Sequence, residues 1–230
     1  MHALDNAVWT ALTTKQAQLA HSNALSRRFP PEMTLLGALA ANTAMAFDSL
    51  TQLIQRDAVT LYFTAPPKIP AGWEVVRAVE LHQMQEGPAA APGPEQLPQH
   101  EIIELTPADV PEMSVVYAAT RPNRTLCPKI QKLGQFLGIR EEGKLVAMGG
   151  LRLHIAGYRE ITTVATLPEF EGRGYATAIT SALVARIHAR GERPFLTVRT
   201  DNARAIAIYG RLGFKKRALL YSQTIRRAPA

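Results

Sequence analysis

A chain of 230 residues with 47% hydrophobic and 20% charged side chains has the balance of a folded protein, long enough for one large domain or two modest ones. The single cysteine, Cys127, excludes an internal disulfide framework and a Cys-based zinc site and fits a reducing, cytoplasmic setting. The net charge of +7 suits a polyanion or a phosphorylated small molecule, yet the basic residues form no dense patch or nucleic-acid motif, so no nucleic-acid partner is expected.

In chain order, residues 1–30 carry no basic head followed by a long apolar core, because Asp5, Lys15 and Arg27 interrupt the stretch, so no export signal is expected. Residues 6–21 and 31–55 have helical patterns. The most apolar run, 33–47, contains Asn42, Thr34 and Thr43 and reads as a buried helix rather than a membrane span. Residues 59–63 and 73–79 read as strands, making the first part α+β with no visible chemistry. The Pro- and Ala-rich stretch 87–100 reads as a linker. The expected organisation is therefore an N-terminal α+β accessory half (1–86), a linker (87–100) and a catalytic domain (101–230).

After the linker, residues 101–105 suggest a strand. Thr106-Pro107-Ala108-Asp109 supplies a helix cap, a first-turn proline and an acid for a helix that ends before Arg121-Pro122. Residues 121–132 read as a loop with a short helix that borders the acceptor site, where Arg124, Lys129 and Lys132 suit either attraction of a carboxylate or plain solvation. A hairpin over 136–140 and 144–153 turns at Glu141-Glu142-Gly143, and 161–166 continues the sheet. A helix over 175–190, a strand over 195–200, a helix over 202–212 and a strand over 218–225 complete the pattern.

The informative segment runs from Val164-Ala165-Thr166 through Glu171-Gly172-Arg173-Gly174-Tyr175-Ala176-Thr177, a glycine-bearing loop between a strand and a helix. Helix N-termini expose unpaired N–H groups and partial positive charge, and small residues let a pyrophosphate approach them. The glycines also suit a plain tight turn. The loop is neither a phosphate-binding Gly-x-x-x-x-Gly-Lys-Ser/Thr nor a Gly-x-Gly-x-x-Gly dinucleotide fingerprint.

With Asn202 just after a strand, Tyr209 seven residues on and Gly213-Phe214 closing the helix, the chain resembles the GNAT superfamily of N-acetyltransferases. The superfamily's Gln/Arg-x-x-Gly-x-Gly/Ala motif matches Glu171 to Ala176 at every defined position but the first. Leu137-Gly138-Ile139-Arg140, Leu145-Val146-Ala147-Met148 and Gly157-Tyr158-Arg159-Glu160-Ile161 resemble a branch related to the C-terminal half of glycine N-acyltransferases. Leu151 and Leu167 depart from that branch, which tends to have an acid and a histidine there.

The resemblance implies an α+β GNAT fold. Its mixed, mostly antiparallel sheet would be flanked by helices and splayed into an acyl-CoA cleft, with a degenerate GNAT-like N-terminal half alongside. It implies acetyl-CoA as cofactor, held by Val164, Ala165, Thr166, Glu171, Gly172, Arg173, Gly174, Tyr175, Ala176, Thr177 and Asn202. Tyr209 would be the general acid, and Glu160, eleven residues before Glu171, a base working through water; a half-buried aromatic and a solvated carboxylate are the plain alternatives. His154 and His188 are less favoured bases, Asn202 is equally explained as a helix cap, and a covalent route through Cys127 lacks a matched His and acid. The expected activity is acyl transfer to the primary amine of a small molecule or amino acid. A non-catalytic acyl-CoA sensor is the alternative, and monomer and homodimer both stay open.

Overall fold

The computed structural model describes residues 2–54, 57–87 and 100–228. Helix α1 (Ala7–Thr13) is capped by Asn6, whose side chain accepts from Trp9 N. A small antiparallel sheet follows, of β1 (His21–Ser22), β2 (Ser26–Arg28) and β3 (Gly37–Leu39), and then α2 (Ala44–Thr51) with Thr43 as its cap.

The remaining elements are β4 (Val59–Phe63), β5 (Trp73–Glu86), β6 (Ile103–Leu105), α3 (Val110–Thr120), β7 (Phe136–Glu141), β8 (Lys144–Ile155), β9 (Tyr158–Thr166), α4 (Tyr175–His188), β10 (Arg193–Arg199), α5 (Ala203–Arg211) and β11 (Phe214–Arg227). Eight strands form one sheet in the order β4-β11-β5-β10-β9-β8-β7-β6. Every named pair in it is antiparallel except β9 with β10, which α4 connects as a crossover. This is the mixed, mostly antiparallel sheet expected of a GNAT fold. No helix among the described residues is long and apolar enough to cross a membrane.

The second half matches the sequence expectations closely, since each of its helices and strands carries its own punctuation. Asp109 accepts from Thr106 N at 2.7 Å in the capping box before α3, and Gly143 at φ 80° makes the tight turn between β7 and β8. The first half differs. The helix expected over 31–55 is only α2, and its earlier part is β3, paired with β2. A Cβ at Gly37 would lie 2.6 Å from Val59 Cγ2, so glycine lets β3 lie close against the start of β4. The helix expected over 6–21 stops at Thr13. Gln16 then bridges to β8, its Nε2 donating to Arg152 O at 2.9 Å and its Oε1 accepting from His154 N at 3.0 Å.

The strand expected over 73–79 is longer, reaching Glu86, and lies between β10 and β11. Residues 1–86, expected as an accessory half of their own, therefore supply an interior strand to the sheet that carries the glycine loop. One core runs from Leu4, Val8 and Leu12 through Met113, Leu137, Met148 and Ile179, all almost fully buried. A second gathers Phe47 and Leu50 of α2 over Val59, Leu61 and Ile225. Of the expected linker, residues 88–99 lie outside the described residues.

Candidate active site

The sheet opens where its two parallel strands part. Pairing between β9 and β10 ends at Ile161 and Leu196, although β9 continues to Thr166 and β10 to Arg199. On its other edge β9 bulges: the register with β8 jumps from Gly150–Thr162 to Met148–Ala165, and Thr163 takes φ 57°. A bulge sharpens twist and turns a strand away from its neighbour. Residues 162–166 thus face a cleft with no strand partner on the β10 side. Thr166 Oγ1 is buried there with no hydrogen-bond partner among the described residues.

Beyond Thr166 a 3-10 turn (Pro168–Phe170) leads to the glycine loop. Gly172 and Gly174 have φ 85° and 84°, in the left-handed region that glycine enters without penalty. A Cβ on Gly172 would meet open space, so backbone angle rather than crowding calls for glycine there. Gly174 is the N-cap of the 14-residue α4 and brings no capping side chain, leaving the first-turn N–H groups of Tyr175, Ala176 and Thr177 to an outside acceptor.

Around this cradle Tyr175 is buried and its hydroxyl donates to the Glu141 carboxylate, while the His100 ring stands edge-on to the Tyr175 ring at 4.6 Å. Arg173 is exposed, with its guanidinium 5.0 Å from the Phe170 ring. Glu171 forms an ion pair with Arg204 of α5, which offsets part of its repulsion toward an anion. The free donors, the two left-handed glycines and the orphaned Thr166 hydroxyl fit a group that combines a pyrophosphate with an extended amide-bearing arm, as coenzyme A does.

Tyr209 lies on α5, packed edge-on against Phe214 at 6.1 Å and only 9% exposed. Burial pushes its phenol up to about 12, with the positive field of Arg121 partly opposing the shift. Asn202 spends its side chain as the α5 cap, accepting from Ala205 N at 3.0 Å. Its structural role is the one the plain reading anticipated.

Glu160, expected as a base reached through water, is instead 0% exposed and held by Arg152 of β8 through two bonds, Nη2 to Oε1 at 2.8 Å and Nε to Oε2 at 2.9 Å. Burial is the largest influence on the Arg152 charge and opposes it, but the fields of Glu160 and Tyr62 and their hydrogen bonds together hold the guanidinium above its usual value. Tyr62 accepts from Arg152 Nη2 at 3.4 Å. Both carboxylate oxygens are thus engaged inside the protein. Converting Glu160→Gln is expected to cost about 3–5 kcal/mol in urea unfolding by leaving a buried guanidinium without its partner. A loss of turnover with unchanged stability would instead restore Glu160 as a base.

His154 and His188 point to acids of their own, Glu192 at 2.5 Å and Glu86 at 2.7 Å. Cys127 is partly buried, and burial raises its thiol, so it offers little thiolate for a covalent route.

Two loop arginines stand beside this site: Arg124, which the sequence placed toward the acceptor, and Arg121, which sequence reasoning missed. Arg121-Pro122-Asn123-Arg124 closes a turn, with Arg124 N donating to Arg121 O at 3.2 Å and Asn123 at φ 62°, the pattern of a type II turn. The turn sets both guanidinium groups against the Tyr117 ring, at 4.9 Å for Arg121 and 5.9 Å for Arg124. Arg121 Nη2 also donates to Val164 O at 3.2 Å, on the free stretch of β9. The Pro-Asn pair signalled the turn, but only the fold reveals what it faces. Of the other loop cations expected at the site, Lys129 pairs with Glu32 at 3.4 Å and Lys132 is exposed.

A sheet splayed at its one parallel pair, with a glycine turn feeding the crossover helix, defines the class: the GNAT acyltransferase fold. The FR47-like protein family model matches residues 136–224. A crystal structure from Novosphingobium aromaticivorans, described as a GNAT-family acetyltransferase, is 33% identical, with 100% of each chain covered and a TM-score of 0.86. This chain belongs to the GNAT family of acetyltransferases.

A GCN5-related N-acetyltransferase from Kribbella flavida shares the fold at 14% identity, over 97% of this chain and 96% of that one, with a TM-score of 0.63. The mycothiol acetyltransferase of Saccharomonospora viridis is 36% identical over 91 residues, which is 36% of this chain. The alignment spans 30% of the length of that curated relative.

Proposed function

We propose that this protein transfers acetyl from acetyl-CoA to the primary amine of a small molecule or amino acid by direct attack in a ternary complex. The observation that carries this reading is the continuity of the cleft: the stretch 162–166 of β9, unpaired on its β10 side, leads through the glycine loop into the uncapped N-terminus of α4. Main-chain groups of Val164 and Thr166 suit the pantetheine amides, the Val164 carbonyl exchanging its bond from Arg121 for one from the arm, and the first-turn N–H groups of α4 suit the pyrophosphate. When bound, acetyl-CoA supplies an activated thioester.

The chain's own part is to bind, exclude water and manage one proton. Tyr209 holds that proton on its hydroxyl at neutral pH and gives it to the sulfur as the carbon–sulfur bond breaks and the nitrogen–carbon bond forms. The proton lost by the nitrogen returns to the tyrosine through solvent. No covalent enzyme intermediate is required, in keeping with the raised thiol of Cys127. The likeness of residues 137–140, 145–148 and 157–161 to the glycine N-acyltransferase branch belongs to this same reading and favours an amino-acid-sized acceptor.

The test is calorimetric titration with acetyl-CoA and longer acyl-CoAs, followed by thiol release in the presence of an amine panel. Micromolar binding and amine-dependent thiol release are expected; binding without release from any amine would turn the assignment to an acyl-CoA sensor. Glu171→Gln is expected to tighten acetyl-CoA severalfold, since it removes a carboxylate beside the proposed pyrophosphate and frees Arg204 from its ion pair. Unchanged affinity in that variant at low salt would place the pyrophosphate elsewhere.

A further inference from the structure

Three arginines converge on the cleft without acids to balance them. Arg121 and Arg124 flank Tyr117, and Arg121 reaches Val164 O. Arg77 of β5 stands within electrostatic reach of Arg124: burial lowers its guanidinium, and the positive fields of Arg124 and Arg199 lower it further. Burial likewise lowers Arg121, which shares its surroundings with Tyr117, Arg124 and Tyr209. Among the described residues none of the three has a carboxylate within 4.0 Å, whereas nearby Arg152 and Arg199 are paired with Glu160 and Asp201. Arg77 and Arg121 are partly buried and Arg124 is exposed beside Arg121; partly buried like charges with no counter-ion are unfavourable unless a ligand supplies the opposite charge.

We infer that the acceptor carries an oxyanion beside its amine, a carboxylate or a phosphate monoester, and that Arg77, Arg121 and Arg124 hold it. This deepens the proposed acetyl transfer and rests on it. The guanidinium forks of Arg77 and Arg124 match either oxyanion through paired N–H donors, while Arg121, whose Nη1 and Nη2 already donate to Thr120 Oγ1 and Val164 O, adds its charge. Placement supports an acceptor role: Arg121 donates to Val164 O on the cleft stretch of β9 and its field reaches Tyr209, so an oxyanion on these arginines holds the rest of the molecule in the cleft of the proposed proton donor.

The experiment first titrates the whole protein with CoA. It then titrates the CoA-saturated protein with amino acids and their carboxamides, and with O-phosphoethanolamine and ethanolamine. At least one oxyanion-bearing member is expected to bind tenfold or more tightly than its neutral twin, and the pair that shows it identifies carboxylate or phosphate. Arg124→Gln, at an exposed position, and Arg77→Gln are expected to abolish the preference, and Arg124→Lys to keep part of it. Equal binding of the twins, or no binding by any member, overturns the inference while leaving the CoA site standing. A fall in CoA affinity in Arg124→Gln matching the loss of preference also overturns it, by giving the arginines to the cofactor. Failure of CoA itself to bind is read in the first titration; it removes the proposed function, and this inference with it.

Discussion

Replacing Gly174 with tryptophan is expected to lower acetyl-CoA affinity by more than 100-fold while leaving the fold intact. The wild-type cradle should bind in the micromolar range, about −8 kcal/mol. Gly174 sits at φ 84° as the N-cap of α4, the point where the first-turn N–H groups open to the cleft. Any L-residue there pays about 1–2 kcal/mol for the left-handed backbone. The indole in addition occupies the space through which a pyrophosphate must reach those donors. Gly174→Ala separates the two effects, because it carries the backbone penalty with little bulk. Calorimetry on the three proteins, with melting temperature as the fold control, reads the result. Retained affinity in the tryptophan variant would move the anion site away from α4.

Tyr209→Phe is expected to lower kcat by about 10²- to 10⁴-fold, the usual contribution of a positioned acid, with acetyl-CoA affinity within twofold of wild type. The change removes only the hydroxyl and keeps the edge-on packing with Phe214. Its pH behaviour follows from the raised phenol. With a folded value of about 12, Tyr209 keeps its proton across the range in which acceptor amines become neutral, so turnover should rise with pH and show no basic limb from this residue below about pH 11.

The sign for stability is the same. The folded state holds this proton more tightly than the unfolded chain, so the contribution is fully present below the ordinary tyrosine value of about 10. It is lost as pH rises through about 12. Steady-state kinetics from pH 6 to 10 test the first point. A basic limb in that range that disappears in Tyr209→Phe would show that the phenol ionises far lower than its burial implies.

How much was legible in the chain varied with how local the cause was. The glycine loop could be read because left-handed backbone and an uncapped helix start both depend on the residues in place, Gly172, Gly174 and the small Ala176. The hairpin at Gly143, the capping box at Thr106 and Asp109 and the Asn202 cap were legible for the same reason. Residues 33–47 misled because an apolar run of that length has no period that separates a buried helix from buried β3 followed by α2. Glu80 to Gln85 of β5 was invisible as an interior strand, since its polar residues are satisfied only at long range: Gln83 is 1% exposed because it donates to Leu4 O and accepts from Arg217.

By itself the sequence determined the order of elements after residue 100, the strand-loop-helix cradle and the tyrosine that follows it, because each rests on neighbours within a few residues. The tertiary structure alone decided three things: the interior place of β5 in the sheet, the burial of Glu160 against Arg152 and the meeting of Arg121 and Arg124 at the Tyr117 ring. Charges acquire their partners from whatever the sheet brings alongside. The bulge at Thr163 and the parting of β9 from β10 create that neighbourhood, and no residue spacing announces it.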